Sequence, residues 1–318
     1  MDEKNKKLKF IDLFAGIWWI RTWFQDLFWP CVFSSELDKY AQITYTSNYL
    51  EKPHGDITKI DEKDIPWFDI LLAGFPCQPF SHAGLKKWFE DSRWTLFFHI
   101  ARIINYHKPR VIFLENVKWF KNHDNWNTFK VVKGTLENLG YNVYVKVLNA
   151  KHFWVPQNRE RIYIIAFLDD VDFEFPQPLN KKTKLWDILD KKVDEKYTIS
   201  DKLWEWHQRR KEEHKIKWNW FWYSIFDENS EYTSTISARY YKDWSEILVS
   251  QKGKNPRKIT PREASRLQGF PNDFKIVVSD TQAYKQFWNS VAVPVIRELA
   301  KSINIALNLF NNKKNIEF

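Results

Sequence analysis

The sequence predicts an α/β protein, a doubly wound sheet with a second, smaller domain, on three observations. Apolar runs of strand length alternate with helical spacing through the first half, polar residues gather where the strands end, and a charged, aromatic, irregular stretch begins after residue 179. In order, Lys9 to Phe14 reads as a buried strand, Ile17 to Leu27 as a helix, Cys31 to Glu36 as a strand and Asp38 to Tyr49 as a helix. Further strands are expected at Phe68 to Ala73, Val111 to Leu114, Tyr141 to Leu148 and Ile162 to Phe167, with helices at Arg93 to Tyr106 and Thr128 to Leu139. Ligands of such a sheet bind outside the carboxyl ends of its strands. The alternation stops near Phe175-Pro176-Gln177-Pro178, and helical spacing returns at Val291 to Leu309. The expected division is therefore 1–179 as a large domain, 180–283 as a small domain and hinge, and 284–318 returning to the large domain.

Composition narrows the function. The 318 residues carry 49 Lys+Arg against 40 Asp+Glu, a formal net charge of +9, which suits a polyanionic partner without proving one. Cys31 and Cys77 are too few for a disulfide framework or a zinc site of their own, so no metal is expected. No stretch approaches the ~18 apolar residues of a membrane span, and Met1 to Lys7 lacks a signal-like apolar segment, so a cytoplasmic protein without membrane contact is expected. One count is abnormal: Gly is 8 and Trp is 18, where roughly 22 glycines would be ordinary for this length. Tryptophan also stands where turn chemistry wants glycine, as in Asn125-Trp126-Asn127 and Asp243-Trp244-Ser245.

Chemistry-bearing residues collect at predicted strand ends. The first strand runs into Asp12-Leu13-Phe14-Ala15-Gly16, a turn through which backbone could approach a cofactor, and Glu36 closes the second, placed to accept ribose hydroxyls. The third ends in Gly74-Phe75-Pro76-Cys77-Gln78-Pro79-Phe80-Ser81, which sets a cysteine where its thiolate could attack a ligand. Leu114-Glu115-Asn116-Val117 closes the next, and Gln157-Asn158-Arg159-Glu160-Arg161 opens another with arginines on alternate residues.

With Arg262 to Pro271 and Gln286-Phe287-Trp288-Asn289-Ser290-Val291 added, the chain resembles the DNA cytosine-5 methyltransferases, in particular the compact bacterial modification enzymes, with each motif in family order. The resemblance implies a doubly wound, S-adenosylmethionine-dependent methyltransferase sheet plus a target-recognition domain. Its implied catalytic residues are Cys77 as nucleophile on the cytosine 6-carbon, Glu115 as acid toward ring nitrogen N3, Arg161 on the 2-oxygen and Arg159 beside it, orienting base or DNA backbone. For S-adenosylmethionine it implies Phe14 against adenine, Gly16 at the amino-acid end, Glu36 on the ribose, Asp56 and Ile57 near adenine, and Asn289 near the methionine part; read from residues alone, Asp56 could equally cap a turn. Double-stranded DNA is the implied partner, met by Gln78, Ser81, Thr235, Arg239 and Lys242, with the target cytosine flipped from the duplex. A monomer is expected, and a cognate restriction endonuclease is a possible partner.

The family has glycine where this chain has Trp18, Trp19, Trp88, Trp94, Trp154 and Trp288. Either the protein is altered or disabled, or its UGA codons, read as glycine in the host, are written as tryptophan. The altered chain would be a catalytically dead DNA-binding protein. A transfer-RNA cytosine-5 methyltransferase is the same-fold alternative.

Overall fold

The computed structural model describes residues 8–17, 20–27, 30–76, 95–179, 182–216, 223–237, 240–243 and 246–314. Cys77, Gln78, Ser81, Arg239, Trp18, Trp19, Trp88 and Trp94 lie outside the described residues. The chain forms two compact units, one of Met1–Leu148, Glu160–Gln177 and Ile296–Phe318, the other of Asn149–Arg159 and Pro178–Val295. The sequence reading cut at 179/180 and 283/284, whereas these units cut at 177/178 and 295/296 and give 149–159 to the second.

The first unit is built on six strands: β1 (Phe10–Leu13), β2 (Cys31–Ser35), β3 (Ile70–Ala73), β4 (Val111–Val117), β5 (Asn142–Asn149) and β6 (Glu160–Phe167). Their order is β2-β1-β3-β4-β6-β5. β1 pairs in parallel with β2 and β3, and β3 with β4, because helices intervene: α1 (Ile20–Asp26), α2 (Lys39–Tyr49), α3 (Thr95–His107) and, before β5, α4 (Asn127–Asn138). No α-helix separates β5 from β6, so the chain turns back and β6 runs antiparallel to β4, with Glu115 opposite Tyr163 and Val117 opposite Arg161. The β1 and β3 side chains are buried throughout, as expected of strands covered on both faces. Their core joins Ile11, Leu71, Ile112 and Ile164 to Ile100, Ile104 and Leu136 of the helices. Asp38 caps α2 by accepting from the Tyr40 and Ala41 amides, and Leu50 ends it in the left-handed region at φ 57°.

The second unit holds α5 (Asp201–Ile216), α6 (Tyr240–Asp243), α7 (Pro261–Leu267), α8 (Asp280–Asn289), the start of α9 (Val293–Lys314), and a small sheet β7-β8-β9 (Ile225–Phe226, Leu248–Gln251, Lys254–Lys258). Its core is aromatic. Tyr240 packs edge-on against Tyr284 at 5.3 Å, and Phe270 against Phe287 at 5.3 Å. The α7 start is over-determined: Thr260 and Glu263 form a reciprocal capping box with Pro261 in the first turn. Among the described residues no helix is long and apolar enough to cross a membrane.

Candidate active site

Parallel order in the first unit puts the carboxyl ends of β1 to β4 on one edge, and the reversal of β6 brings its first residues to that edge too. Phe14, Gly16, Glu36, Phe75, Glu115 and Arg161 therefore share one rim. Three backbone bonds lace its β1–β2 side: Ala15 N–H donates to Ser35 O (2.9 Å), Glu36 N–H to His54 O (2.8 Å) and His54 N–H to Ser34 O (2.8 Å). Glu36 reaches back, its carboxylate accepting from the Gly16 amide (2.6 Å) and the Asp38 amide (2.7 Å). Burial pushes its carboxyl above the usual range, while these amide bonds pull the other way. Phe14 holds φ 58° and Gly16 φ 57°. A phenylalanine there is strained, which is tolerated where a tight turn fixes a binding surface.

At the other side of the rim, Arg161 Nε lies 3.1 Å from Glu115 Oε1, with each side chain about nine-tenths buried. The pair is a diagonal cross-strand neighbour across β4 and β6, a relation set by the antiparallel register. Between the sides, buried Asn116 donates to Phe75 O (3.1 Å) and accepts from the Val117 amide (2.9 Å). It thereby fixes the backbone leading to Pro76, the residue before Cys77. The sequence contained Asn116 within the Glu115-Asn116-Val117 motif but offered no sign of this positioning role.

Other expected residues occupy sites of different character. Asp56 caps a short helical turn, accepting from the Thr58 amide (3.0 Å) and hydroxyl (2.8 Å), bonds that hold its carboxyl below the usual range. The turn-cap geometry is thus present, and Ile57 beside it is buried in the core. Arg159 precedes β6 rather than lying in it. In the second unit it is buried, and its Nη2 donates to Trp288 O (2.9 Å) and Ser290 O (2.6 Å), clamping the segment that carries Asn289. Gln268 adds a bond from Nε2 to Phe287 O (3.0 Å). Asn289 itself is exposed at the end of α8. The Thr235 hydroxyl donates to Asn158 O (2.6 Å), and the neighbouring Thr233 exchanges backbone bonds with Pro156 and Asn158. Lys242, exposed in α6, rests over the Tyr241 ring at 5.6 Å. Among the described residues no cluster suits a metal ion.

Known proteins place this geometry. A profile of C-5 cytosine-specific DNA methylases matches residues 8–304. The type II methyltransferase M.SsoII of Shigella sonnei is 60% identical over 95% of this chain and 81% of its own length, and M.NlaX of Neisseria lactamica is 58% identical over 96% of this chain and 99% of its own. In fold the chain is similar to the Dnmt2 methyltransferase of S. pombe, with a TM-score of 0.80 at 20% identity over 96% of this chain and all of that one. An Entamoeba histolytica methyltransferase, EhMeth, gives 0.80 at 23% over 95% and 99%. With the acid–arginine pair at the sheet rim, the motifs in order and relatives at this identity over nearly the full length, the chain belongs to the C-5 cytosine-specific DNA methylase family and is a DNA cytosine-5 methyltransferase.

Proposed function

We propose that this rim methylates one cytosine within a specific duplex DNA word, with S-adenosylmethionine as donor, and that the protein is the modification partner of a type II restriction system. The observation that carries the proposal is the Glu115–Arg161 pair beside the backbone that Asn116 holds short of Cys77. The ring 5-carbon of cytosine is a poor nucleophile until a thiolate adds at the 6-carbon. Cys77 Sγ forms that bond, pushing the ring electron pair toward C5 and N3. Glu115 donates a proton at N3 and so relieves the negative charge, while Arg161 holds Glu115 in place and reaches the 2-oxygen. S-adenosylmethionine, when bound, supplies an electrophilic methyl group on its sulfonium. After methylation the 5-proton leaves to a base, its electron pair expels Cys77 Sγ as the C6–S bond breaks, and the N3 proton returns to Glu115. The base must leave the stack for the thiolate to reach it.

The first unit fits the cofactor. Glu36 presents a half-buried carboxylate just past the end of β2, beside a β1 turn held at positive φ by Phe14 and Gly16, which suits a ribose and a close backbone approach. Asn289 and the Asp56 turn are assigned to the same cofactor. Arg159 acts by positioning the Trp288-to-Ser290 backbone. Thr235, Arg239 and Lys242, with Gln78 and Ser81, are the assigned DNA contacts. The protein acts as a cytoplasmic monomer.

Labelled methyl transfer to duplex DNA and to transfer RNA tests the reading. Incorporation at cytosine C5 of DNA supports it; incorporation into transfer RNA alone overturns it. Four relatives at 51–60% identity are named type II methyltransferases, which favours DNA.

A further inference from the structure

Backbone geometry bears on the tryptophans independently of composition. The non-glycine residues of positive φ among the described ones are Phe14, Leu50, Lys108, Trp126 and Trp154. In this left-handed region a β-carbon crowds the following carbonyl, a strain that glycine escapes, and an indole offers no short polar group for a compensating local hydrogen bond. Trp126, at φ 73°, is the residue before α4 and makes no side-chain cap bond to it. Trp154, at φ 69°, sits between Phe153 and Val155, both buried. Each indole is 44% exposed, so neither is built into a core. Lys121 lies over the Trp126 ring at 5.1 Å, an exposed contact of little weight. The backbone at both positions lies in the left-handed region that favours glycine.

Other tryptophans behave differently. Trp204 lies within α5 with its ring 5.0 Å from Tyr223, as a tryptophan chosen for packing would. Trp23, in α1 below Arg297 (5.2 Å), and Trp288, in α8 with Arg159 over it (5.6 Å), have no positive φ. Positive-φ strain therefore plays no part at 23 or 288, since both are helical. Gly269 shows what a true requirement looks like: at φ 82° an added β-carbon would lie 2.5 Å from Pro294 Cδ.

We infer that the native protein carries glycine at positions 126 and 154, because its gene spells them with a UGA codon that the host reads as glycine and that is written here as tryptophan. The same codon then accounts for Trp18, Trp19, Trp88, Trp94 and Trp288 at glycine positions of the family motifs and for the glycine deficit. For 126 and 154 the inference rests on backbone geometry; for the motif positions it rests on the family reading. The literal chain, with tryptophan at motif positions where the family has glycine, binds S-adenosylmethionine poorly, and the chain made in its own host binds it well.

Peptide mass spectrometry of the protein purified from its native host reads the residues directly and needs no activity. Peptides spanning 126 and 154 are expected to carry glycine, and the peptide spanning Trp204 to keep tryptophan, with UGA codons at the first two and UGG at the third. Tryptophan in either of the first two peptides overturns the inference, even if the enzyme methylates DNA. A folding test runs alongside in the literal chain. W126G and W154G are each expected to raise Tm by about 2–4 °C, while W126A and W154A, which keep a β-carbon at positive φ, do not, and W204G lowers it. Glycine and alanine variants that behave alike would contradict the strain argument.

Discussion

Two acid–arginine pairs in this molecule look similar and do different work. Glu263 of α7 is fully buried and spent: it accepts from both Arg257 Nη1 (2.8 Å) and Nη2 (2.9 Å), from the Thr260 amide (2.8 Å) and from the Asp190 amide (2.8 Å). Glu115 meets Arg161 through Nε at 3.1 Å on a sheet rim, and both side chains retain some exposure. The first pair welds a loop, a strand and a helix start within the second unit. The second pair stands at the strand-end rim, the edge at which ligands of such sheets bind. An ion pair whose lone pairs are consumed internally holds structure, whereas one at the edge of a layered sheet is placed to act on something else.

That contrast can be broken by experiment, using the glycine-restored chain so that binding is intact. Cys77→Ser is expected to abolish turnover while DNA affinity stays nearly unchanged, because phosphate and groove contacts remain; near-normal methylation would remove Cys77 from the chemistry. Glu263→Gln, the structural counterpart, is expected to cost about 3–5 kcal/mol in urea unfolding, with the methylation rate per folded molecule kept. A large rate loss in fully folded Glu263→Gln would erase the distinction between the pairs. Exchanging 180–257 for the same region of a relative is expected to move the recognised DNA word and leave the chemistry. Within that region Arg239 substitutions are expected to relax specificity by ~1–3 kcal/mol if the side chain reads a guanine.

Two buried groups of the first unit give smaller, pH-dependent effects. Asp12 in β1 is wholly buried with no hydrogen-bond partner for its carboxylate among the described residues, and burial raises its pKa well above the usual value. The folded state thus keeps a proton that the unfolded state loses above about pH 4, so stability declines as pH rises from there. Asp12→Asn is expected to flatten that slope and to be more stable than the parent at pH 8; a less stable variant would mean the carboxylate has a favourable role. Burial likewise pushes the Cys31 thiol up to about 12 from 9.0. Its contribution is complete below pH 9 and fades between 9 and 12, a loss that Cys31→Ala should reduce in unfolding midpoints taken across that range.

Much of the first unit was legible in the sequence because period and punctuation agree there. Apolar runs such as Ile70 to Ala73 stop at Gly74, and Asp38 announces α2 as its cap. Glu36, Glu115 and Arg161 could be placed on one rim from strand ends alone. The antiparallel turn of β6 was not legible, since an apolar strand gives no sign of its direction. That Arg159 stands just outside β6 was not legible for a related reason. Alternation implies a shared face only inside a strand, and β6 begins one residue later. In the second unit α5 was read as irregular, because its charged residues, from Asp201 through the Arg209-Arg210-Lys211 run, leave only a weak apolar stripe. The positioning roles of Asn116, Gln157 and Gln268 were not legible, although their motifs were, because their partners are backbone groups, which no residue pattern records.

The most direct test of the rim assignment is the single-turnover rate of methyl transfer by Glu115→Gln on duplex DNA at saturating S-adenosylmethionine. The glutamine keeps the size of the side chain but cannot supply the acid's proton. The rate is expected to fall by ~100-fold or more, the scale of a positioned acid, with Tm and DNA affinity close to the parent's. A rate equal to the parent's, in a folded protein that binds DNA, would contradict the account.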